Sequence, residues 1–538
     1  MSESATAEAS RETPSDRRWG RDVSRATVAG HPCLVYAQRP RSVAELLLER
    51  RRWPDRTLLV QGERRMTGFE HERAVARVAA HLRERGVVRG DRVLLLGFNS
   101  IEWVAAFWAL QVLGATAALG NAWWSDAEVA AAVDQLRPSL AVTDRDLDSV
   151  ATVGFDALRE QVDRTDHELP LDLAAVAEDD LALIMFSSGT TGAAKGVLMS
   201  HRSVVANIHN LLLLTGRLPD ELDVSRPGTV GLLSVPLFHL AGVQISLNTL
   251  LCGGRLVFLE GKFDPAQVLR LIEQERVRVW GSIPTMVSRV LEDPDFASYD
   301  TSSVSSVPMG GSTISPELRA LVSRSFAGVK DRVGSLYGLT EAGGVLAAGS
   351  GTDITSRPGA VGRALPVVEL VIRNPGTDGI GEIGARTPTA TSGYLGSGDS
   401  GVEPIADAEG WIFSGDLGRI DADGWLYVTG RSKDIVIRGG ENIASAHVEQ
   451  ALLTHPDVVE AAIVALPHPD LGEEVAAAVV LRPGAGADIA EIRDHVMTRL
   501  GRFEIPSAWW LHPGPLPTNP SGKVLRRQVR DEWPTDGA

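Results

Sequence analysis

Apolar residues recur with helical spacing over residues 69–84 and 102–113, and the short run 92–97 between them carries four consecutive apolar residues. This alternation predicts helix, strand and helix, and so a layered α/β domain over about residues 41–144. The most apolar stretch, 103–120, is interrupted by Gln111 and Gly114 and has no basic flanks. It reads as a buried helix running into a strand rather than as a membrane span. Residues 219–228 hold two prolines, a glycine and three carboxylates, the composition of a surface loop. Apolar runs at 230–235 and 255–259 and an amphipathic helix over 265–275 then resume the α/β theme. Between 352 and 429 short Val/Ile runs punctuated by Gly, Pro and Asp predict a small β-rich unit. Beyond a boundary near Gly430 and Arg431 the pattern predicts helix 447–454, strands 459–466 and 475–481, and helix 489–500. That is a compact α+β unit of about a hundred residues. Residues 1–30 mix Arg with Glu, Asp, Ser and Thr and read as a disordered tail. The expected organisation is therefore a disordered or extended tail over 1–40, a large unit over 41–430 and a small one over 431–538.

Composition narrows the partners. The 538 residues are 44% hydrophobic and 23% charged, which fits a folded globular chain. The 53 Lys and Arg against 69 Asp and Glu give a net charge of −16, which opposes attraction to nucleic acid or anionic lipid. Cys33 and Cys252 are the only cysteines, too few for a disulfide framework or a Cys-rich metal site, and a reducing cytoplasm is expected. The first thirty residues also lack the apolar core of a secretory signal.

The most informative segment is FSSGTTGAAKGV at 186–197, behind the apolar run 181–185. Gly189, Gly192 and Gly196 let backbone N–H groups approach an anion, while Ser187, Ser188, Thr190 and Thr191 add hydroxyl donors. Lys195 supplies the charge, so the segment describes a phosphate cradle. It is not a Walker loop, because Ala194 precedes that lysine and Gly196 follows it. SLYGLTEAGG at 335–344 offers the ring of Tyr337 for stacking on a base, the hydroxyl of Thr340 beyond Gly338, and a carboxylate at Glu341 for a phosphate-bound Mg²⁺. WIFSGDL at 411–417 places Asp416 in a Gly-containing turn, where it can accept hydrogen bonds from both ribose hydroxyls. PTNPSGKVLRR at 517–527 sets Lys523 behind a Pro- and Gly-rich turn, where a loop can deliver one positive charge.

In this order, and with PLFHLAG at 236–242 and GRSKDIVIRGGENI at 430–443, the segments resemble the acyl-CoA synthetase branch of the adenylate-forming superfamily. The similarity runs from about Arg41 to Arg530. It implies an α/β protein with a large N-terminal domain of layered α/β subdomains plus a small β-rich unit, followed by a small mobile α+β domain. The activity it implies is ATP-dependent conversion of a carboxylic acid to an acyl-adenylate with release of pyrophosphate, then transfer to CoA. By this resemblance Gly310, Gly311 and Ser312 lie beside adenine, Tyr337 stacks on it, and Asp416 and Arg431 hold the ribose. Glu341 ligates Mg²⁺, helped by Ser187, and Lys433 is the hinge. Lys523 is the cation for the α-phosphate, and Gly439, Gly440 and Glu441 enter the site for CoA. His239, Gly242 and Met309 border the acid. The pocket segments matching 238–244, 280–285 and 309–312 hold no Asp, Glu, Lys or Arg, so a fatty or aromatic acid with an uncharged tail is expected. The chain departs from the family at Ala194, at Ala444 and Ser445, and at Glu504, where many relatives have Pro, Tyr-Pro and Lys. An acceptor other than CoA, such as a carrier-protein thiol or an amine, and a catalytically silent scaffold remain the alternatives. If the chain associates, a homodimer is expected.

Overall fold

The computed structural model describes residues 18–165, 169–188, 194–309, 316–329, 334–349, 351–357, 359–396, 401–431, 434–438, 441–519 and 523–534. Two α/β sheets form the body of the large domain. The first has eight strands, with Arg92–Leu96, Thr116–Gly120 and Leu181–Ser188 at its centre. The second has five and is built on Val230–Leu233, Arg255–Phe258 and Thr57–Gln61 in parallel. The helix Ile101–Leu113 lies in the core that joins them, and all of its residues are buried. Buried on every side, it has no solvent face, and its polar residues Glu102 and Gln111 are buried with the rest. Ser100 caps it by accepting the Trp103 N–H at 3.0 Å, and Gly114 at φ 68° ends it. The fully buried strand Thr116–Gly120 follows, as the uncharged run 103–120 predicts.

The helix predicted over 69–84 spans Gly68–Glu84. It begins with a reciprocal capping box in which Glu70 N–H donates to Thr67 Oγ1 and Thr67 N–H donates to Glu70 Oε2. The amphipathic helix Pro265–Glu275 has the predicted bounds. Segment 219–228 is a loop apart from one 3₁₀ turn, Pro219–Glu221.

From residue 18 onward the chain is not a disordered tail. Val23–Val28 and His31–Tyr36 form an antiparallel hairpin. It is anchored by Trp19, 1% exposed, whose indole donates to Glu49 and whose N–H donates to Asp220. Tyr36 stacks on His209 at 3.8 Å and donates to Asn210. These partners lie 30 to 201 residues away in sequence, so no local pattern announces them.

The β-rich region is a seven-stranded sheet running from Ser335–Leu339 to Trp425–Arg431 and closed at its far edge by Glu369–Arg373. Gly393–Leu395 and Val402–Glu403, from the same stretch of sequence, instead extend the edge of the eight-stranded sheet. In the small domain, Val458–His468 and Gly472–Leu481 pair antiparallel, and Ala508–Leu511 adds in parallel. The helices Ser445–Leu453 and Ile489–Met497 contribute Val448, Leu452, Ile492 and Val496 to the same core as that sheet.

Four histidines make the fold sensitive to acid. Burial pushes His201, His209 and His239 down to about 4 and His71 well below its usual value. His201 Nδ1 accepts the Val43 N–H at 3.2 Å, which requires an unprotonated nitrogen. An unfolded chain binds protons at these sites near pH 6.5 and the folded one does not, so their stabilisation is complete above 6.5 and is lost as pH falls toward 4. At pH 5 each of the three near 4 costs about 2 kcal/mol. The melting temperature is expected to drop clearly between pH 7 and pH 5, and a flat profile would contradict this account.

Candidate active site

The seven-stranded sheet sets one side of the site. Asp416 lies in the strand Ile412–Ile420, at an irregularity in its pairing with Gly381–Arg386, where residues 414–416 oppose the single residue Ile383, and is 7% exposed. The expected turn is thus a bulged strand, in which Gly415 takes φ 72° and re-aims the chain. The register sets Asp416 opposite Arg431, whose Nε donates to Asp416 Oδ1 at 2.8 Å. The Tyr337 hydroxyl donates to the other oxygen at 2.8 Å. Burial, then the Asp416 charge, raises the Tyr337 phenol far above its ordinary value, so it remains a donor.

Glu341 sits in the turn after the strand Ser335–Leu339. Its backbone carbonyl accepts the Thr391 N–H at 3.2 Å and the Thr391 hydroxyl at 2.7 Å. Gly343 and Gly344, at φ 71° and 144°, close this turn. A Cβ at Gly343 would lie 1.6 Å from the Thr389 carbonyl oxygen, and one at Gly344 would lie 2.2 Å from Asn207 Oδ1. Only glycine fits at either position. Tyr394 donates to Glu341 Oε1 at 3.0 Å, and Lys195 Nζ lies 4.9 Å from the centre of the same ring. Among the described residues no cluster of three or more His, Cys, Asp or Glu could hold a metal unaided. One carboxylate with a single hydrogen-bonded oxygen suits Mg²⁺ carried mainly by substrate phosphates.

The small domain brings Lys523 to this place. The Lys523 N–H donates to Asn519 Oδ1, and its carbonyl accepts the Asn519 N–H, both at 2.8 Å, which closes a tight loop. Burial lowers the ammonium's pKa, the charges of Arg431 and Arg526 lower it further, and Asp434 and Asp416 oppose this. Lys523 therefore shares one electrostatic neighbourhood with the Asp416–Arg431 pair, although 107 and 92 residues separate it from them in sequence. Arg526 donates to Glu449 at 2.7 and 2.9 Å and to Asp434 at 3.1 Å. Ser445, where many relatives have proline, donates its hydroxyl to the Asp434 carbonyl. Asp434, Glu449 and Tyr394 escaped the sequence reading because nothing in their spacing links them to the residues they touch. Asp434 and Arg526 do stand inside the two C-terminal motifs, the one signal that could have flagged them.

A cavity of about 200 Å³ lies beside the Lys523 loop. Phe98, Trp123 and Phe238 form an aromatic wall, with ring centres 5.6 and 5.3 Å apart, and Asn519 and Glu460 of the small domain face it. Arg289, one turn beyond Thr285 on the helix Pro284–Leu291, also lines it. The cavity therefore holds one cation and one carboxylate that the three expected pocket segments do not contain.

His239 is the half-buried N-cap of the helix Leu240–Leu251, with its buried Nε2 unpartnered among the described residues, and its neighbour Phe238 lines the cavity. A Cβ on Gly242 would lie 2.1 Å from the Pro236 carbonyl oxygen, so this glycine permits close packing of the loop. Met309 is fully buried and bridges Ser282 and Ser335. Gly338 and Thr340 belong to the strand and turn that carry Tyr337 and Glu341. Gly189, Thr190, Thr191, Gly192, Gly310, Gly311, Ser312, Lys433, Gly439 and Gly440 lie outside the described residues, as do the side chains of Ser187, Ser188 and Glu441.

Comparison with known proteins agrees with this arrangement. Residues 48–395 match the family of AMP-binding enzymes, and residues 447–523 match the AMP-binding enzyme C-terminal domain. The chain is 32% identical to a feruloyl-CoA synthase of an Amycolatopsis species over 489 residues, covering 89% of this chain and 96% of the relative. It is 32% identical to a 2-succinylbenzoate–CoA ligase of Geobacillus kaustophilus over 492 residues, covering 89% and 95%. ATP-bound MatB from Rhodopseudomonas palustris superposes with a TM-score of 0.80 at 27% identity, over 91% of this chain and 99% of that one. The o-succinylbenzoate CoA synthetase MenE of Bacillus subtilis, in complex with its acyl-adenylate, gives 0.77 at 27% identity, over 92% and 99%. By these matches this chain belongs to the AMP-binding enzymes, as an AMP-forming ligase that joins a carboxylic acid to CoA through an acyl-adenylate at the expense of ATP.

Proposed function

We propose that the acid is aromatic and that the domain arrangement seen here is the one that forms the adenylate. The observation that carries this reading is the burial of Lys523 in the field of Asp416 and Arg431, with its own loop forming part of the cavity wall. A carboxylate resists acyl substitution because it is anionic and its oxide leaves poorly. Its oxygen instead attacks the α-phosphorus of ATP, the bond to the β-phosphate oxygen breaks, and pyrophosphate leaves. Negative charge gathers on the α-phosphate oxygens in that step, and a fixed ammonium at Lys523 stabilises it without reorganisation. Asp416 and Arg431 hold the ribose, Tyr337 meets the base, and Lys195 with the glycine-rich loop at 189–192 receives the β- and γ-phosphates. Glu341, with the help of Ser187, would hold Mg²⁺, which would neutralise phosphate charge there. The small domain then turns about Lys433, the lysine loop leaves, and residues 439–441 enter to admit the CoA thiol to the acyl carbonyl.

The aromatic wall favours a ring over a flexible chain. Trp123 and Phe98 are 40% and 49% exposed, apolar area that a planar acid would cover. Arg289 and Glu460 leave room for a polar ring substituent, a revision of the uncharged tail expected from the three pocket segments. The relatives named for feruloyl and 2-succinylbenzoyl thioesters are aryl in kind and support the same class. The reading also places the domain boundary at Gly430–Arg431 and the enzyme in the cytoplasm, where the two buried free thiols stay reduced, with a homodimer as the assembly to test by sedimentation.

Acids screened by pyrophosphate release, with and without CoA, decide the class. Aryl acids should exceed straight-chain acids of equal carbon number, and free thioester should form only with CoA. Trp123→Ala should lower kcat/KM for aryl acids about tenfold with an unchanged melting temperature. Preference for straight chains in the native enzyme would overturn the assignment.

A further inference from the structure

The strand Gly393–Leu395 departs from the β-rich region to pair with Ala194–Ser200, which sets Tyr394 opposite Val197. One side chain thereby meets two groups from distant parts of the sequence. Lys195 Nζ sits 4.9 Å from the Tyr394 ring centre, and the Tyr394 hydroxyl donates to Glu341 Oε1 at 3.0 Å. Thr391, three residues earlier, grips the Glu341 carbonyl through both its N–H and its hydroxyl. Glu341 is thus held at backbone and carboxylate by one short segment.

We propose that Tyr394 is a positioning residue that fixes the spacing between the Lys195 ammonium and the Glu341 carboxylate, so that polyphosphate and its metal meet a preset pair. The proposal rests on the reading that Lys195 faces phosphate and Glu341 faces Mg²⁺. A lysine on its flexible four-carbon stem has no preferred direction of its own, and the aromatic face supplies one. The hydroxyl pins one carboxylate oxygen, which orients the other. The two contacts separate chemically: phenylalanine keeps the ring face and loses the donor, and leucine loses both.

The test is calorimetric binding of ATP to the full chain in saturating Mg²⁺ and in excess EDTA, with the Mg²⁺ dependence of acid-driven pyrophosphate exchange beside it. Tyr394→Phe should weaken ATP binding about five- to tenfold in Mg²⁺ only, and should raise the Mg²⁺ concentration for half-maximal exchange. Tyr394→Leu should weaken ATP binding in EDTA as well. If that variant does not fold, the phenylalanine variant decides alone. Equal binding by Tyr394→Phe and the native chain, or equal weakening with and without metal, overturns the proposal. Glu341→Gln serves as the reference. A metal shift there without one in Tyr394→Phe overturns the proposal alone, and no shift in either overturns the reading of Glu341 together with it.

Discussion

Lys523→Ala is expected to lower acid-dependent exchange of pyrophosphate into ATP by about 10²–10³-fold, the usual loss when one aimed electrostatic group is removed from an enclosed site. Formation of thioester from supplied acyl-adenylate should be unchanged, because that step begins after pyrophosphate has left and the lysine loop has moved away. The expectation follows from where the side chain is held. Asn519 closes the loop that carries it, partial burial limits competing water, and the charges of Asp416 and Asp434 favour the ammonium there. Measuring both half-reactions on one preparation separates this role from a structural one. Equal loss in both would remove Lys523 from the adenylation step.

The second large effect is expected at Arg526. Its guanidinium joins Glu449, 13% exposed, to Asp434, the residue that follows the hinge position. Burial raises the Glu449 carboxyl, and the Arg526 charge pulls it back down, so the pair is mutually dependent. Arg526→Met leaves two carboxylates without their cation and should destabilise the small domain by about 3 kcal/mol, the usual consequence of breaking a buried pair from one side. Adenylation should fall with it, because Lys523 is three residues away and shares this anchor. The double variant Arg526→Met, Glu449→Leu should recover most of the stability, since an apolar replacement of the whole pair restores packing without a stranded charge. It should not recover adenylation. Full recovery of both would show that the ion pair supports folding alone and does not aim the lysine loop.

The family was legible because the segments at 186–197, 335–344 and 517–527 each combine residue types that a purely structural role does not require, and their order along the chain is shared by the relatives. The amphipathic helix Pro265–Glu275 was legible for a related reason, because its apolar period is local and survives in the sequence as written. The hairpin Val23–Tyr36 was not, because its stability comes from Trp19, Tyr36 and His209 meeting across long loops. Asp416 was expected in a glycine-bearing turn and lies in a bulged strand, since a bulge is defined by the register with the partner strand Gly381–Arg386 rather than by its own residues.

The sequence by itself determined the family and the reaction class, because these depend on short runs whose chemistry is complete within about ten residues. Only the tertiary structure decided that Tyr394 touches both Lys195 and Glu341, that Arg526 ties the lysine loop to the hinge strand, and that Arg289 and Glu460 face an aromatic cavity. Each of those contacts joins positions far apart in the chain, and strand register and domain docking choose which distant residues become neighbours.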